Sequence, residues 1–454
     1  MNSYKMKNTV IIGNGISGIT AARHIRKLSN NTITVISAET DHFFSRTALM
    51  YIYMGHMKYE HTKPYEDWFW VKNKIDLVRG FVEKIDTELK ELSLDESRKI
   101  SYDILVIATG SESNKFGWPG QDLPGVQGLY SLQDIDLLED NSKKISRAVL
   151  VGGGLIGVEL AEMLISRDIP VTFLVREKYF WNIILPENES KMITRHMVEH
   201  GIDLRLSTEL KEIFPGDDGR VKGVLTNKDE EISCQFVGLT VGVHPNISIV
   251  KDTKIKAGRG VLVNDYLETN IENVYAAGDC AEIITPEGEK NRVEQLWYTG
   301  RMQGEALART ICGERTSYDR GIWFNSAKFF DIEYQTYGFV ASTPQAHENS
   351  FYWEHTGGKK CFRVVYDKNT NAVTGFNVFG IRFRHQICEE WIRDERTIDY
   401  VLSHLRDANF DPEFYRQHEP EIINNFNKIN PDKSIQLQPK RNYIKRYTHM
   451  MSNV

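Results

Sequence analysis

One pattern limits the fold of this chain more than any other: it occurs twice. TVIIGNGISGITAARHI is followed by NTITVISAE, and much later RAVLVGGGLIGVELAEML is followed by IPVTFLVRE. Gly13 maps on Gly152, Gly15 on Gly154, Gly18 on Gly157, and Glu39 on Glu177 within one residue of the same offset. Each copy reads as an apolar β-type run, a glycine loop, a helical pattern and a second apolar run.

Each position has a physical reason. The first glycine allows a tight turn, the second lets backbone approach a pyrophosphate, and the third lets helix and strand pack closely. The helix start then presents unpaired N–H groups and the positive end of its dipole to phosphates. A carboxylate about 20 residues further on suits a ribose hydroxyl, and Glu39 and Glu177 stand there. One such loop is often only a turn; two in one chain imply two dinucleotide sites, with electrons passing between them.

The rest of the chain is compatible with an enzyme of this kind. Its 454 residues allow about three domains. At 41% hydrophobic and 26% charged it can build real cores, and a net charge of -6 argues against nucleic acid as the main partner. No apolar run approaches the ~20 residues of a membrane helix. MNSYKMKN runs into TVIIG without a secretory pattern, so a cytoplasmic location is expected. The cysteines Cys234, Cys280, Cys312, Cys361 and Cys388 form no CxxC pair, which excludes an internal dithiol centre of that type.

With these motifs the chain resembles the FAD-dependent pyridine nucleotide-disulfide oxidoreductase superfamily over roughly residues 8 to 345. It is most similar to the branch without a redox disulfide: rubredoxin and ferredoxin reductases, the flavin part of nitrite reductase, and NADH oxidase-like proteins. The motifs stand in the family's order. GNGISG implies the ADP part of FAD, with Gly13, Gly15, Ile16, Ser17 and Gly18 around it. FFSRTALMY resembles a segment beside the isoalloxazine, where Arg46 meets the flavin phosphates. YDILVIATGS supplies the turn Ala108, Thr109, Gly110. GGGLIGVELAE, with Gly152, Gly154, Ile156 and Gly157, implies the nicotinamide dinucleotide. VGLTVGVHPN, with Gly242, ends that unit, and VYAAGDCAE places Gly278 and Asp279 on the FAD ribitol. Val82 and Leu296 are assigned to cofactor contacts in the same way.

The resemblance implies an α/β fold: two Rossmann-like dinucleotide-binding domains, for FAD and NAD(P), plus a C-terminal α+β interface domain. The FAD-binding domain is expected over 1–120 and 248–320, the NAD(P)-binding domain over 121–247, and the interface domain over 321–454, where FNSAKFFDIEYQTYG begins a segment that builds a homodimer in the family. The implied activity is FAD-dependent NAD(P)H:acceptor oxidoreduction: hydride passes to flavin N5, then electrons go to an acceptor such as a rubredoxin, a ferredoxin or another iron–sulfur protein. A flavin oxidase using oxygen, a subunit of a larger electron-transfer complex and a non-turnover redox sensor are the alternatives.

Some residues carry two readings. Asp279 is a ribitol ligand or a helix N-cap. Glu159, two residues past Gly157, orients the nicotinamide or merely complements the helix dipole. Trp297 stands where related reductases carry a ring-stacking Trp, with Tyr298 beside it; either also serves as core. Thr47 stands at the redox-cysteine position of peroxidase-type relatives, and no cysteine precedes Cys234. Tyr51 replaces the lysine that pairs with the glutamate in some ferredoxin reductases. After Val175, Glu177 favours NADH while Arg176 and Lys178 favour NADPH, leaving NADH or NADPH open with a lean to NADH.

Three further stretches stand apart. KPYEDWFWVKNKIDLVRG at 63–80 reads as a partner-docking face through Trp68, Phe69 and Trp70, or as a helix on the FAD domain with one exposed aromatic. FGIRFRHQICEEWIRDERTIDYVLSHLRDANFDPEF has helical spacing, and His385 and Cys388 lack further ligands for a metal. The end, QPKRNYIKRYTHM, is basic: a docking segment or a solvated tail.

Overall fold

The computed structural model describes residues 6–414 and 416–439, so the basic run from Lys440 onward lies outside the described residues. The chain forms two compact units. One holds the residues up to Leu174 with Glu209–Arg320; the other holds Val175–Thr208 with the residues from Gly321 onward.

In the first unit the unbroken β-branched runs become parallel strands, because strands covered on both faces have no polar side to show. The first sheet is ordered Val274–Ala276, Ile104–Ile107, Asn8–Ile12, Thr32–Ser37, Ile75–Arg79, all parallel. Its loop leads into the helix Ile16–Leu28. The duplicate repeats the plan: Ala148–Val151 lies between Val171–Val175 and Phe236–Leu239, again parallel, and feeds the helix Leu155–Ile165. The likeness extends past the motifs. Each half also carries a three-stranded antiparallel meander, Val82–Asp86 to Lys99–Ser101 in one and Leu210–Pro215 to Glu231–Ser233 in the other.

The aromatic stretch divides into a short helix, Asp67–Lys72, and the edge strand Ile75–Arg79. Trp70 is buried, Phe69 stacks on Tyr65 with centroids 4.6 Å apart, and Trp68 is 60% exposed.

The second unit is α+β. Its antiparallel sheet is ordered Phe324–Phe329, Ile332–Gly338, Val373–Phe379, Cys361–Asp367, Glu348–Glu354. The helices His385–Arg393, Ile398–Ser403 and Glu419–Ile429 give Cys388, Trp391, Val401, Leu402, Ile422 and Phe426 to the core on the sheet. The helix Glu187–Glu199 is tied to this sheet by a buried ion pair, with Arg363 Nε and Nη2 donating to Glu189 at 2.5 and 2.8 Å. Among the described residues, no helix is long and apolar enough to cross a membrane.

The glycine loops take the same path. Gly13 and Gly152 have φ of +112° and +109°, open to glycine and costly for other residues. Gly13 N–H donates to the Ile36 carbonyl at 2.8 Å, and Gly152 N–H to the Leu174 carbonyl at 3.0 Å. A Cβ on Gly13 would lie 2.0 Å from the Ala108 carbonyl oxygen, and one on Gly152 would lie 2.6 Å from that of Thr240. By contrast, a Cβ on Gly15 meets nothing within 4 Å. The two glycines therefore separate fold from ligand. Gly13→Ala is expected to destabilise the protein by more than ~2 kcal/mol, and Gly15→Ala by less than ~1 kcal/mol. Urea unfolding of both variants checks this; equal losses would contradict it.

Candidate functional site

Both loop helices begin without help from a side chain. Gly15 and Gly154 are the N-caps, neither makes a side-chain cap, and neither first turn holds an acidic residue. The leading N–H groups and the dipole's positive end thus favour an anion. Around Gly15 and Gly154 the space that a Cβ would fill is clear; the only neighbour is the Thr240 carbonyl oxygen, 4.0 Å from a Cβ on Gly154. This is the shape a pyrophosphate needs for close backbone approach. Ile16 packs against the core and Ile156 is half-buried on the matching helix.

Ser17 and Gly18 sit where the first helix crosses the helix Trp297–Ile311. A Cβ on Gly300 would lie 2.7 Å from Ser17 Oγ, and one on Gly304 would lie 2.6 Å from the Ser17 carbonyl oxygen. Gly278, at φ +81°, abuts the same Ser17 hydroxyl, and its N–H donates to Gln303 at 2.7 Å. The VYAAGDCAE turn is thereby held against the first glycine loop.

From this turn a chain of polar groups runs back to the second strand. Ser111 Oγ and Tyr130 Oη donate to Asp279 Oδ2 at 3.0 and 3.3 Å, and Gln295 donates to Ser111 Oγ at 2.9 Å. Arg46 lies over the Tyr130 ring at 4.5 Å and donates to the Tyr130 carbonyl at 2.6 Å. Its other bonds go to Glu39, at 2.8 and 2.5 Å, and Leu132 N–H donates to the same carboxylate at 3.0 Å. Burial pushes the Asp279 carboxyl up despite Ser111, Arg46 and Tyr130. Burial and then the Asp279 charge push Tyr130 up to about 12. Tyr130, Ser111 and Gln295 are absent from the sequence reading. Ser111 directly follows the ATG turn and could have been found there; Tyr130 comes from a loop with no motif.

The remaining expected residues fall around this chain. Thr109 Oγ1 donates to the Asn246 carbonyl at 2.6 Å, and a Cβ on Gly110 would meet the Tyr130 hydroxyl at 2.9 Å. Gly242, at φ +87°, starts the strand Val243–Pro245, which pairs antiparallel with Ser111–Ser113. Val82 is buried at the start of its strand, just after Gly80, whose N–H donates to the Ser37 carbonyl at 3.0 Å. Leu296 is the N-cap of the helix Trp297–Ile311, and the Trp297 and Tyr298 rings meet edge-on at 5.6 Å, both half-buried. Thr47 is exposed in a short 3-10 turn, and Tyr51 stacks on His56 at 6.1 Å.

Glu159 is an exposed residue of the second loop helix, with protein packed around its carboxyl. That crowding, with the Glu162 charge added, pushes its carboxyl up to about 7. Glu177 belongs to the second unit and accepts a hydrogen bond from Arg176 at 2.8 Å. The five cysteines are free. Cys280, next to Asp279, is fully buried; its thiol donates to the Ile107 and Ala277 carbonyls, both at 3.4 Å, and burial raises its pKa. It is an inert packing residue and not a redox nucleophile.

Among the described residues, two groups of side chains could hold a metal: His196, His200 and Asp331, and His355, His418 and Glu421. Neither includes His385 or Cys388. A cavity of about 250 Å³ in the second unit, lined by Asp331, Lys360, Arg382, Arg416 and His418 among others, contains no residue of the glycine-loop site.

Residues 7–304 match the family model of pyridine nucleotide-disulphide oxidoreductases, and the chain belongs to that family. It is 30% identical over 372 residues to a ferredoxin–NAD(P)(+) reductase from Sphingomonas sp, covering 81% of this chain and 88% of the relative. It is 29% identical over 386 residues to a nitrite reductase (NAD(P)H) of Bacillus subtilis, covering 82% of this chain but 46% of the relative, so it spans about half the length of that curated relative. An NAD-dependent persulfide reductase from A. fulgidus shares the fold, with a TM-score of 0.81 at 22% identity over 93% of this chain and 84% of that one. The fold is thus the expected one, with two Rossmann-like parts and an α+β C-terminal part.

The raised Glu159 carboxyl has a consequence for pH. A carboxyl whose folded pKa is above its ordinary value of 4.5 holds its proton more tightly when folded. Its contribution to stability is full below about 4.5 and is lost as pH rises through about 7. Glu159→Gln is expected to flatten the fall in melting temperature across that window and leave it unchanged below it. Thermal scans from pH 4 to 8 measure this; parallel profiles for both proteins would refute the shift.

Proposed function

We propose that this chain is an FAD-dependent NAD(P)H:acceptor oxidoreductase, with FAD at the first glycine loop and a nicotinamide dinucleotide at the second. The observation that carries the reading is the pair of equivalent loops with uncapped helix starts, only the first of which is joined to the Glu39–Arg46–Tyr130–Asp279 chain. A bound FAD would supply the chemistry, taking a hydride from the nicotinamide and releasing its electrons to an acceptor.

The protein's own work is positioning. Gly15, Ile16, Ser17 and Gly18 hold the FAD pyrophosphate on backbone N–H groups, and Gly13, whose own N–H is spent on Ile36, makes the turn that presents them. Glu39, oriented by Arg46 and Leu132 N–H, accepts from the adenosine ribose. Arg46 adds positive charge near the phosphates. Val82 and the turn Ala108–Thr109–Gly110 line the same cofactor, and Gly278 with Asp279 binds its ribitol. Gly152, Gly154, Ile156, Gly157, Glu177 and Gly242 hold the second dinucleotide, with NADH preferred through Glu177. Glu159 positions the nicotinamide, and Leu296 and Trp297 border the rings.

The domains divide as 1–120 with 248–320 for FAD, 121–247 for NAD(P) and 321–454 for an interface that builds a homodimer in the cytoplasm. The acceptor is a small electron-transfer protein of the rubredoxin or ferredoxin kind. Support comes from the name of the Sphingomonas relative and from the absence of any cysteine before Cys234, which removes peroxidase-type thiol chemistry from the flavin side.

Purified protein is expected to be yellow with noncovalent FAD and to bleach on anaerobic addition of NADH. Gly154→Val should stay yellow, since its Cβ has room in the protein, but bleach at least about 100-fold more slowly, from loss of backbone approach. Absorbance after rapid mixing measures both. A colourless protein that cannot be reconstituted with FAD would overturn the reading, as would fast turnover with oxygen and none with ferredoxin or rubredoxin for the acceptor.

A further inference from the structure

His196 and His200 are four residues apart at the end of the helix Glu187–Glu199, so their rings share one face. The ring centroids are 4.3 Å apart and nearly edge-on. Opposite them is Asp331, in the turn between strands Phe324–Phe329 and Ile332–Gly338; its neighbour Phe330 stacks on His200 at 4.5 Å. Asp331 Oδ1 is 2.7 Å from His196 Nε2 and 3.4 Å from His200 Nε2. The helix and the turn belong to the same compact unit.

We propose that His196, His200 and Asp331 bind a divalent transition-metal cation of the zinc class. Four observations support it. First, His196 is 1% exposed, and neither ring nitrogen has a well-directed hydrogen bond, although Asp331 Oδ1 is close. The carboxylate stands off the line that a ring N–H would need. That is where a neighbouring ligand sits when a cation occupies the nitrogen's lone pair. Second, His200 Nδ1 lies 3.0 Å from the His196 carbonyl oxygen. A proton on Nδ1 bonds there and leaves Nε2 as a lone-pair donor facing Asp331, the usual outer support of a metal-bound imidazole. Glu199 Oε2, 3.8 Å from His196 Nδ1, stands on the matching outer side of the other ring. Third, Lys359 is bound to Asp331 Oδ2 at 2.8 Å, which orients the carboxylate and leaves Oδ1 toward the histidines. Fourth, the three donor atoms lie within 4.8 Å of one another. Donors about 2.0–2.1 Å from a tetrahedral zinc are about 3.3 Å apart, so the observed spacing needs only a small opening at His196.

Two imidazoles and one carboxylate suit zinc and its neighbours better than magnesium or calcium, and leave a fourth position for water. The cation would clip the helix to the turn. The other histidine group is less suited: His418 turns Nδ1 toward Glu421, and its outer Nε2 faces the Lys360 ammonium at 3.1 Å, not the acceptor that supports a metal-bound imidazole.

The test uses the full-length, flavin-loaded chain without a polyhistidine tag, treated with a chelator and titrated with Zn²⁺ by calorimetry. One Zn²⁺ per chain is expected, with a higher unfolding temperature on binding. His200→Ala and Asp331→Asn, both at partly exposed side chains, should each weaken that binding by at least about tenfold, and His418→Ala should not. Zinc-edge X-ray absorption of the wild-type protein should report imidazole nitrogen with oxygen donors, whether or not the variants fold. Absence of stoichiometric Zn²⁺ binding, unchanged affinity in either His200→Ala or Asp331→Asn, loss in His418→Ala alone, or a zinc shell without imidazole would overturn the proposal.

Discussion

The first unit depends on one close approach made twice: backbone at Gly13 passing beneath the Ala108 carbonyl, and backbone at Gly152 passing beneath that of Thr240. Only a residue without a Cβ, at positive φ, can turn there. The turn fixes where each helix starts, and the start decides which N–H groups remain unpaired. Sheet order follows as well. Ala108 N–H donates to the Ile12 carbonyl at 2.8 Å, and Thr240 N–H donates to that of Val151 at 2.9 Å. The strand that covers the glycine is the strand that pairs beside it.

The two halves share this scaffold and differ in what surrounds it. At the first loop, Asp279 and Glu39 are connected through Tyr130 and Arg46 by hydrogen bonds and a stacked guanidinium. Glu39 is paired with Arg46, and Asp279 accepts from the Ser111 and Tyr130 hydroxyls; a lone buried carboxylate without such partners would cost several kcal/mol. At the second loop the notable charge is Glu159, whose carboxyl is pushed up as that of Asp279 is, here by burial and by the Glu162 charge. The asymmetry gives one architecture two electrostatic environments.

The second unit is organised by a different interaction. Glu189 is fully buried, and Arg363, with Asn377 at 3.4 Å, supplies its hydrogen bonds from the antiparallel sheet. Removing either partner of such a pair leaves an uncompensated charge, at a cost of about 3–5 kcal/mol. The helix that carries Glu189 also carries His196, so the pair that docks the helix sets the face on which the histidines meet Asp331.

Local pattern was enough to read the glycine loops with their strands and helices, and the family resemblance added the turns at Ala108–Gly110 and Gly278–Asp279. Each rests on a backbone constraint within a few residues, and such constraints leave a signature in residue type. The sequence alone therefore determined the duplicated α/β plan and the family. Tertiary structure decided which side chains converge. Tyr130 reaches Asp279 from 149 positions away, Arg363 reaches Glu189 from 174, and Asp331 reaches His196 across two separate stretches of the second unit. Asp279 apart, no residue in those pairs is constrained by its neighbours in sequence. Their identity is dictated by packing between distant segments, which periodicity and spacing do not encode.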